Sequence, residues 1–223
     1  MIQAVLFDLD NTLLDRDAAF RRYAEYFYHT HPVIRRTHTF EQALHRMIVF
    51  DQQGQRPKED VFTDVLREWP DLHKTVHELI EEFWSHFPSY FTLDEPTAHL
   101  LRDLSAHDIP YGVVTNGAAT QLDKMRASGL DQWVRTVVVS DLMGVAKPAP
   151  RIFHEALSRL QQAPQSTLFV GDNPEADIRG AQAVGMQTAW IHRGRDWPYE
   201  DQRPDYIVSH VADLRSVLLN GSI

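Results

Sequence analysis

"AVLFDLDNTL", Ala4 to Leu13, decides how the chain is read. Four apolar residues run directly into Asp8 and Asp10, two acids one residue apart. A continuous apolar run of this length suits a strand covered on both faces, as in a parallel sheet. Two carboxylates at its end repel each other, and a buried carboxylate is costly unless something pairs with it. The acids are therefore either solvated loop residues or holders of a cation. An isolated Asp-x-Asp would fit the first reading, so the rest of the chain has to decide.

Similar runs recur at "YGVVTNG" from Tyr111, "TVVVS" from Thr136, "TLFVGDN" from Thr167, "TAWIH" from Thr188 and "YIVSH" from Tyr206. Helical patterns lie between them, over 97–107, 118–129, 150–161, 174–184 and 211–219. Strands alternating with helices predict an α/β, Rossmann-like doubly wound parallel sheet. Between the first strand and Tyr111 there is no strand signal. Four stripes at helical spacing appear instead: Phe20, Tyr23, Ala24, Phe27 and Tyr28; Phe40, Ala43, Leu44, Met47 and Ile48; Val61, Phe62, Val65, Leu66 and Trp69; Val76, Leu79, Ile80, Phe83 and Phe87. Thr39 and Gln42 have the spacing of a capping box before the second. Four amphipathic helices bury their stripes best as a bundle. The expected organisation is a discontinuous core, 1–14 and 95–223, interrupted by a four-helix module over 15–94.

The 223 residues suffice for one domain with a large insertion or for two small ones. A net charge of −9 argues against bulk binding to nucleic acid or an anionic membrane, which needs clustered Lys and Arg. No stretch approaches the roughly 20 apolar residues that span a bilayer. The start lacks the basic and long apolar regions of a signal peptide, so a cytoplasmic protein is expected. With no cysteine, disulfides, thiolate zinc sites and Cys nucleophiles are excluded. The twelve histidines do not recur at ligand spacing and read as surface or partly buried residues. The late stretch "RGRDWPYEDQRPDY" reads as a long solvated loop, with Arg193, Arg195 and Trp197 as residues that could edge a site.

In an open parallel sheet, ligands bind at the carboxyl ends of the strands. Those ends carry Asp8 and Asp10; Thr115, Asn116 and Gly117; and Asp172, with Asp177 one turn later. Lys147 precedes Pro148 just ahead of a helix. Acids grouped with carbonyls suit a hard cation, above all Mg²⁺. One carboxylate could attack phosphorus and form an aspartyl-phosphate. The cation and Lys147 would offset the repulsion between the two anions. Thr115 and free backbone N–H groups near Asn116 and Gly117 would hold phosphoryl oxygens.

"DLDNTL", "TNG", "KP" and "GDNPEAD", in this order and on matching elements, resemble the four motifs of the haloacid dehalogenase (HAD) superfamily. The resemblance covers essentially the whole chain. It implies that Asp8 is the nucleophile and Asp10 the general acid/base. Thr115, Asn116 and Gly117 would bind phosphate, and Lys147 would orient Asp8. The metal would sit on the Asp8 carboxylate, the Asp10 backbone carbonyl and Asp172, with Asp177 in support. The helical insertion resembles the C1 cap of the family's first subclass. Members that break carbon–halogen bonds lack an acid two residues after the nucleophile, so Asp10 favours phosphate esters.

The expectation is a Mg²⁺-dependent phosphatase acting on a small soluble phosphomonoester: a nucleotide, phosphoglycolate or a sugar phosphate, with a slight lean to nucleotides. A phosphomutase of the same family is the alternative, and a non-enzymatic phosphoacceptor or scaffold a more distant one. Monomer and dimer are not distinguished.

Overall fold

The computed structural model describes residues 2–219. Met1 and residues 220–223, the extremes of the expected core, lie outside the described residues. In chain order the elements are β1 (Ala4–Phe7), α1 (Arg16–Thr30), α2 (Phe40–Asp51), α3 (Lys58–Glu68), α4 (Val76–His86), α5 (Glu95–Ala106), β2 (Tyr111–Thr115), α6 (Thr120–Ser128), β3 (Thr136–Val139), α7 (Ser140–Met143), α8 (Pro150–Leu160), β4 (Thr167–Gly171), α9 (Gly180–Ala183), β5 (Gln187–Ile191), β6 (Tyr206–Val208) and α10 (Arg215–Leu219). Contacts divide the chain into two compact units. Arg16–Phe91 form one, and the flanking stretches, up to Asp15 and from Thr92, form the other.

The flanking unit is built on a sheet of order β3-β2-β1-β4-β5-β6 with every neighbouring pair parallel. Its architecture is the expected doubly wound α/β fold. All four residues of β1 are inaccessible, as are Leu168, Phe169 and Val170 of β4, which is why both strands read as unbroken apolar runs. Helix α8 packs its face through Ile152, Phe153, Ala156 and Leu157 against Leu6, Val114, Val138 and Phe169. Strands β2 and β3 lie to one side of β1, and β4 to β6 to the other. Winding therefore reverses at β1, and this reversal opens a crevice at the carboxyl ends of the central strands. Phe7 is level with Val170, so Asp8 emerges beside Gly171, and the Asp8 N–H donates to the Val170 carbonyl at 2.8 Å.

The helical unit has an aromatic core in which Tyr23 meets Phe83 edge-on at 4.8 Å and Phe83 stacks on Phe87 at 4.5 Å. Helix α2 begins with the expected Thr39–Gln42 capping box, and α4 with a second one formed by Thr75 and Glu78. Ile48, placed on a buried stripe by its spacing, is 47% exposed. Ala43, Leu44, Met47 and Asp51 form the buried face instead, because ion pairs draw Asp51 inward. Asp51 Oδ2 accepts from Arg16 Nη2 at 2.7 Å, and Asp51 Oδ1 from Lys58 Nζ at 2.5 Å. The Arg16 guanidinium lies against Gly54, which has φ +82°, and a Cβ there would come within 2.7 Å of it.

Burial pushes the Asp51 carboxyl up, but Arg16 and Lys58 outweigh it and hold the group below its ordinary value of 3.8. A depressed folded-state pKa contributes stability that is present above the unfolded value and lost as pH falls through the folded one. Glu82 behaves alike: burial raises it, yet His31 and Lys74 hold it at about 2. Asp51→Asn is therefore expected to cost about 1.5–3 kcal/mol at pH 7, the range for a buried hydrogen bond to a charged group. The difference from the parent should begin to shrink below pH 3.8, where the unfolded chain's Asp51 protonates, and close as the pH falls on through the lower folded-state value. Urea unfolding followed by tryptophan fluorescence at both pH values checks this.

Two expected helices differ in form. The stretch from Pro174 opens with a π-helical turn, Pro174–Arg179, before α9, and the stretch from Val211 opens as a 3₁₀ turn capped by His210. Among the described residues no helix is long and apolar enough to cross a membrane.

Candidate active site

Lys147 organises the crevice. Its Nζ donates to Asp8 Oδ1 at 2.6 Å and to Asp177 Oδ1 at 2.7 Å, and its side chain is almost wholly buried. Asp8, Asp172 and Asp177 each bring a carboxylate oxygen within 4.8 Å of the other two. Asp172 Oδ2 accepts from Arg195 Nη2 at 3.0 Å, and the Asp172 carbonyl accepts from Arg195 Nη2 at 2.7 Å and from Trp190 Nε1 at 2.9 Å.

The chain folds locally to bring Asp177 inward. Gly171 ends β4, and a Cβ at that position would overlap the Asp177 carboxyl. Asp177 Oδ2 accepts from the Asn173 N–H at 2.9 Å. The Asn173 carbonyl receives both the Asp177 N–H at 3.0 Å and the Ile178 N–H at 3.3 Å. The second of these bonds spans five residues, and this widening makes the turn a π-helix, a form that recurs at functional sites. Asn173 also caps the turn, its Oδ1 accepting from the N–H groups of Glu175 and Ala176.

Burial pushes the Asp8 carboxyl up to about 8; Lys147 pulls it down, and Asp177 and Asp172 push it up again. Burial likewise lifts Asp172 to about 6, with Asp177 adding and Arg195 opposing. Burial alone would lower the Lys147 pKa, but Asp177 and Asp8 more than reverse this and hold it as the ammonium. Three acids thus share one buried ammonium and one guanidinium. That is a surplus of negative charge, and a divalent cation would balance it. The donors are all carboxylate oxygens, the ligand type of a hard ion such as Mg²⁺. The residues fit a metal of this kind, and the group contains no histidine.

The second strand end is more heavily committed than its sequence suggests. Thr115 ends β2. The Asn116 side chain clamps the backbone of Lys147, its Oδ1 accepting from the Lys147 N–H at 2.8 Å and its Nδ2 donating to the Lys147 carbonyl at 3.0 Å. The expected free N–H at Gly117 is not free: it donates to Ser140 Oγ at 2.9 Å, because the start of α7 lies against this loop.

The Asp10 carboxylate is not in the three-acid group. Its Oδ2 accepts from Lys124 Nζ at 2.5 Å and from Gln121 Nε2 at 3.1 Å. Both partners lie on α6 and both are buried. Sequence reading missed them. Their only signal is a pair of polar residues at i, i+3 in the helix that follows "TNG". Most of the late loop is exposed, as expected, and Arg195 edges the site: it reaches Asp172, and its guanidinium sits 5.9 Å from the Trp190 ring centre. Trp197 packs edge-on against Trp190 at 5.1 Å, and Arg193 pairs with Asp15 at 3.0 Å. Arg16 is paired with Asp51 inside the helical unit.

A doubly wound parallel sheet whose central strand ends present an acid cluster around a buried lysine defines an α/β protein with a carboxylate-and-lysine site, and the sequence comparisons specify the family. The model described as haloacid dehalogenase-like hydrolase matches residues 2–185. The chain belongs to this family and is an enzyme, a hydrolase. It is 32% identical over 163 residues to the phosphoserine phosphatase of Thermus thermophilus, a match covering 73% of this chain and 64% of that one. It is 30% identical to the glyceraldehyde 3-phosphate phosphatase of Methanopyrus kandleri, with 98% of this chain and 97% of that protein covered. Among solved structures, a HAD phosphatase of Thermococcus onnurineus matches with a TM-score of 0.66 at 27% identity, covering 98% of both chains.

Proposed function

We propose that the protein is a Mg²⁺-dependent phosphatase that cleaves a small phosphomonoester through an aspartyl-phosphate on Asp8. The observation that carries this reading is the Asp8 carboxylate at the end of β1, held by buried Lys147 within reach of Asp172 and Asp177. The phosphatase names of the Thermus and Methanopyrus relatives support it, and both names denote small phosphorylated metabolites. Asp8, Asp172 and, through its carbonyl, Asp10 would hold the metal, with Asp177 in support. The metal, when bound, would neutralise charge on the phosphoryl group.

An Asp8 oxygen attacks phosphorus, and the bond to the leaving alkoxide oxygen breaks. At about 4 Å two unit charges repel by roughly 4 kcal/mol at an effective dielectric near 20, so the approach needs cationic help. Lys147 supplies part of it and fixes the direction of the Asp8 carboxylate. Asp10 gives its proton to the departing alkoxide. It then takes a proton from water as that water attacks phosphorus, the Asp8–phosphorus bond breaks, and phosphate leaves. Lys124 and Gln121 keep the Asp10 carboxyl in one orientation throughout. Thr115 donates to a phosphoryl oxygen, while Asn116 contributes by holding Lys147 in place.

The purified protein should release phosphate from p-nitrophenyl phosphate with Mg²⁺ present, and EDTA should abolish the release reversibly. Turnover that survives EDTA treatment would rule out the metal requirement. Release of free phosphate from a hexose phosphate, with no isomerised sugar, separates hydrolysis from mutase chemistry.

A further inference from the structure

We propose that Gln121 is a positioning residue: it fixes the direction of the Thr115 hydroxyl so that its proton is offered to a phosphoryl oxygen. The inference rests on the reading of Thr115 as a phosphate-binding residue. Gln121 lies in the first turn of α6 and is buried. Its Nε2 is 2.6 Å from Thr115 Oγ1, 3.1 Å from Asp10 Oδ2 and 3.2 Å from the Asn116 carbonyl oxygen.

Two of these partners decide which end of the amide faces the cluster. The Asn116 carbonyl only accepts, and Asp10 Oδ2, the oxygen that faces Gln121, already accepts from the Lys124 ammonium. An amide oxygen in the same place would face both acceptors with nothing to donate. The nitrogen therefore faces them, and towards Thr115 it can only donate. A hydroxyl that accepts through a lone pair keeps its proton for another acceptor. Within the protein it goes to the Asn116 carbonyl at 3.4 Å, the outer limit of a hydrogen bond. A phosphoryl oxygen carries charge and forms a stronger bond with the same proton. Gly117 makes the arrangement possible, because with φ +136° it leaves the space in which a Cβ would sit 3.2 Å from Gln121 Cγ.

The polarity of this contact can be reversed. Gln121→Glu replaces the donor by an acceptor, so the Thr115 proton would turn inward. Gln121→Met keeps the shape and removes the donor. Thr115→Val removes the hydroxyl and sets the scale. Affinity for inorganic phosphate in the presence of Mg²⁺, measured by calorimetry, should fall about 10-fold or more in Thr115→Val and by a similar factor in Gln121→Glu, with a smaller loss in Gln121→Met. The KM for p-nitrophenyl phosphate should rise in the same order, with the melting temperatures of the two Gln121 variants matching each other.

Equal phosphate affinity in Gln121→Glu, Gln121→Met and the parent, with Thr115→Val weakened, would overturn the positioning role alone. Equal losses in both Gln121 variants, tracking a lowered melting temperature, would overturn it in favour of simple packing. Unchanged affinity in Thr115→Val would remove the phosphate-site reading of Thr115 and the inference with it.

Discussion

Asp8→Asn will lower kcat by a factor of about 10⁴ or more while leaving the protein folded. The amide matches the carboxylate in size, and its oxygen can still accept from Lys147 Nζ, which lies 2.6 Å from Asp8 Oδ1 in the parent. What it loses is the nucleophile and the negative charge that would help hold the metal. Removing a charge from a cluster with surplus negative charge should not destabilise the metal-free fold. Burial, Asp177 and Asp172 all push the Asp8 carboxyl up, so an ionised Asp8 is under electrostatic stress in the absence of a cation. The melting temperature in EDTA is therefore expected to stay level or rise as activity disappears. Phosphate release and differential scanning fluorimetry on the same preparation separate the two effects.

Lys147→Met should do the reverse and act first on stability. Lys147 is the shared partner of Asp8 and Asp177, both buried. Taking one member from a buried ion cluster and leaving its partners unpaired costs about 3–5 kcal/mol. Methionine suits the apolar side of the position, where Lys147 Nζ lies 5.5 Å from the Phe169 ring centre, so the cost should come from charge more than from shape. The Asn116 clamp acts through the backbone of residue 147 and survives the substitution. Mg²⁺ should recover part of the lost stability by taking over as counter-ion. Urea unfolding with EDTA and with Mg²⁺ measures both parts, and a variant as stable as the parent in EDTA would show that Lys147 is not the electrostatic keystone of the crevice.

Much of the fold was legible because the physics that forms it is local. Strands β1 and β4 are buried on both faces, and their unbroken apolar runs state that directly. The four helices of the insertion carry stripes at helical spacing, and Thr39 with Gln42 marks the start of α2. Other features depend on partners far along the chain. The π-helical turn at Pro174 carries Asp177 to Lys147, 30 positions away, and nothing local in the sequence marks that partner. Gln121 and Lys124 look like the polar side of an ordinary helix until Asp10, 111 and 114 positions earlier, is placed beside them. Arg195 sits in a segment with no periodicity and reaches Asp172 through a loop. Asn116 was legible as a residue near the chemistry but not as the clamp on Lys147, because the clamp is a tertiary contact.

The most direct test of the central claim is to trap the phosphoryl group on the protein. Enzyme turning over a small phosphomonoester with Mg²⁺ is quenched in acid, reduced with borohydride, digested and analysed by mass spectrometry. Borohydride reduces an acyl-phosphate but leaves a free carboxylate untouched, so the modified side chain reports the nucleophile. Modification of Asp8, dependent on substrate and absent in Asp8→Asn, is the predicted result. Reduction at any other carboxylate, or undiminished turnover by Asp8→Asn, would contradict the assignment.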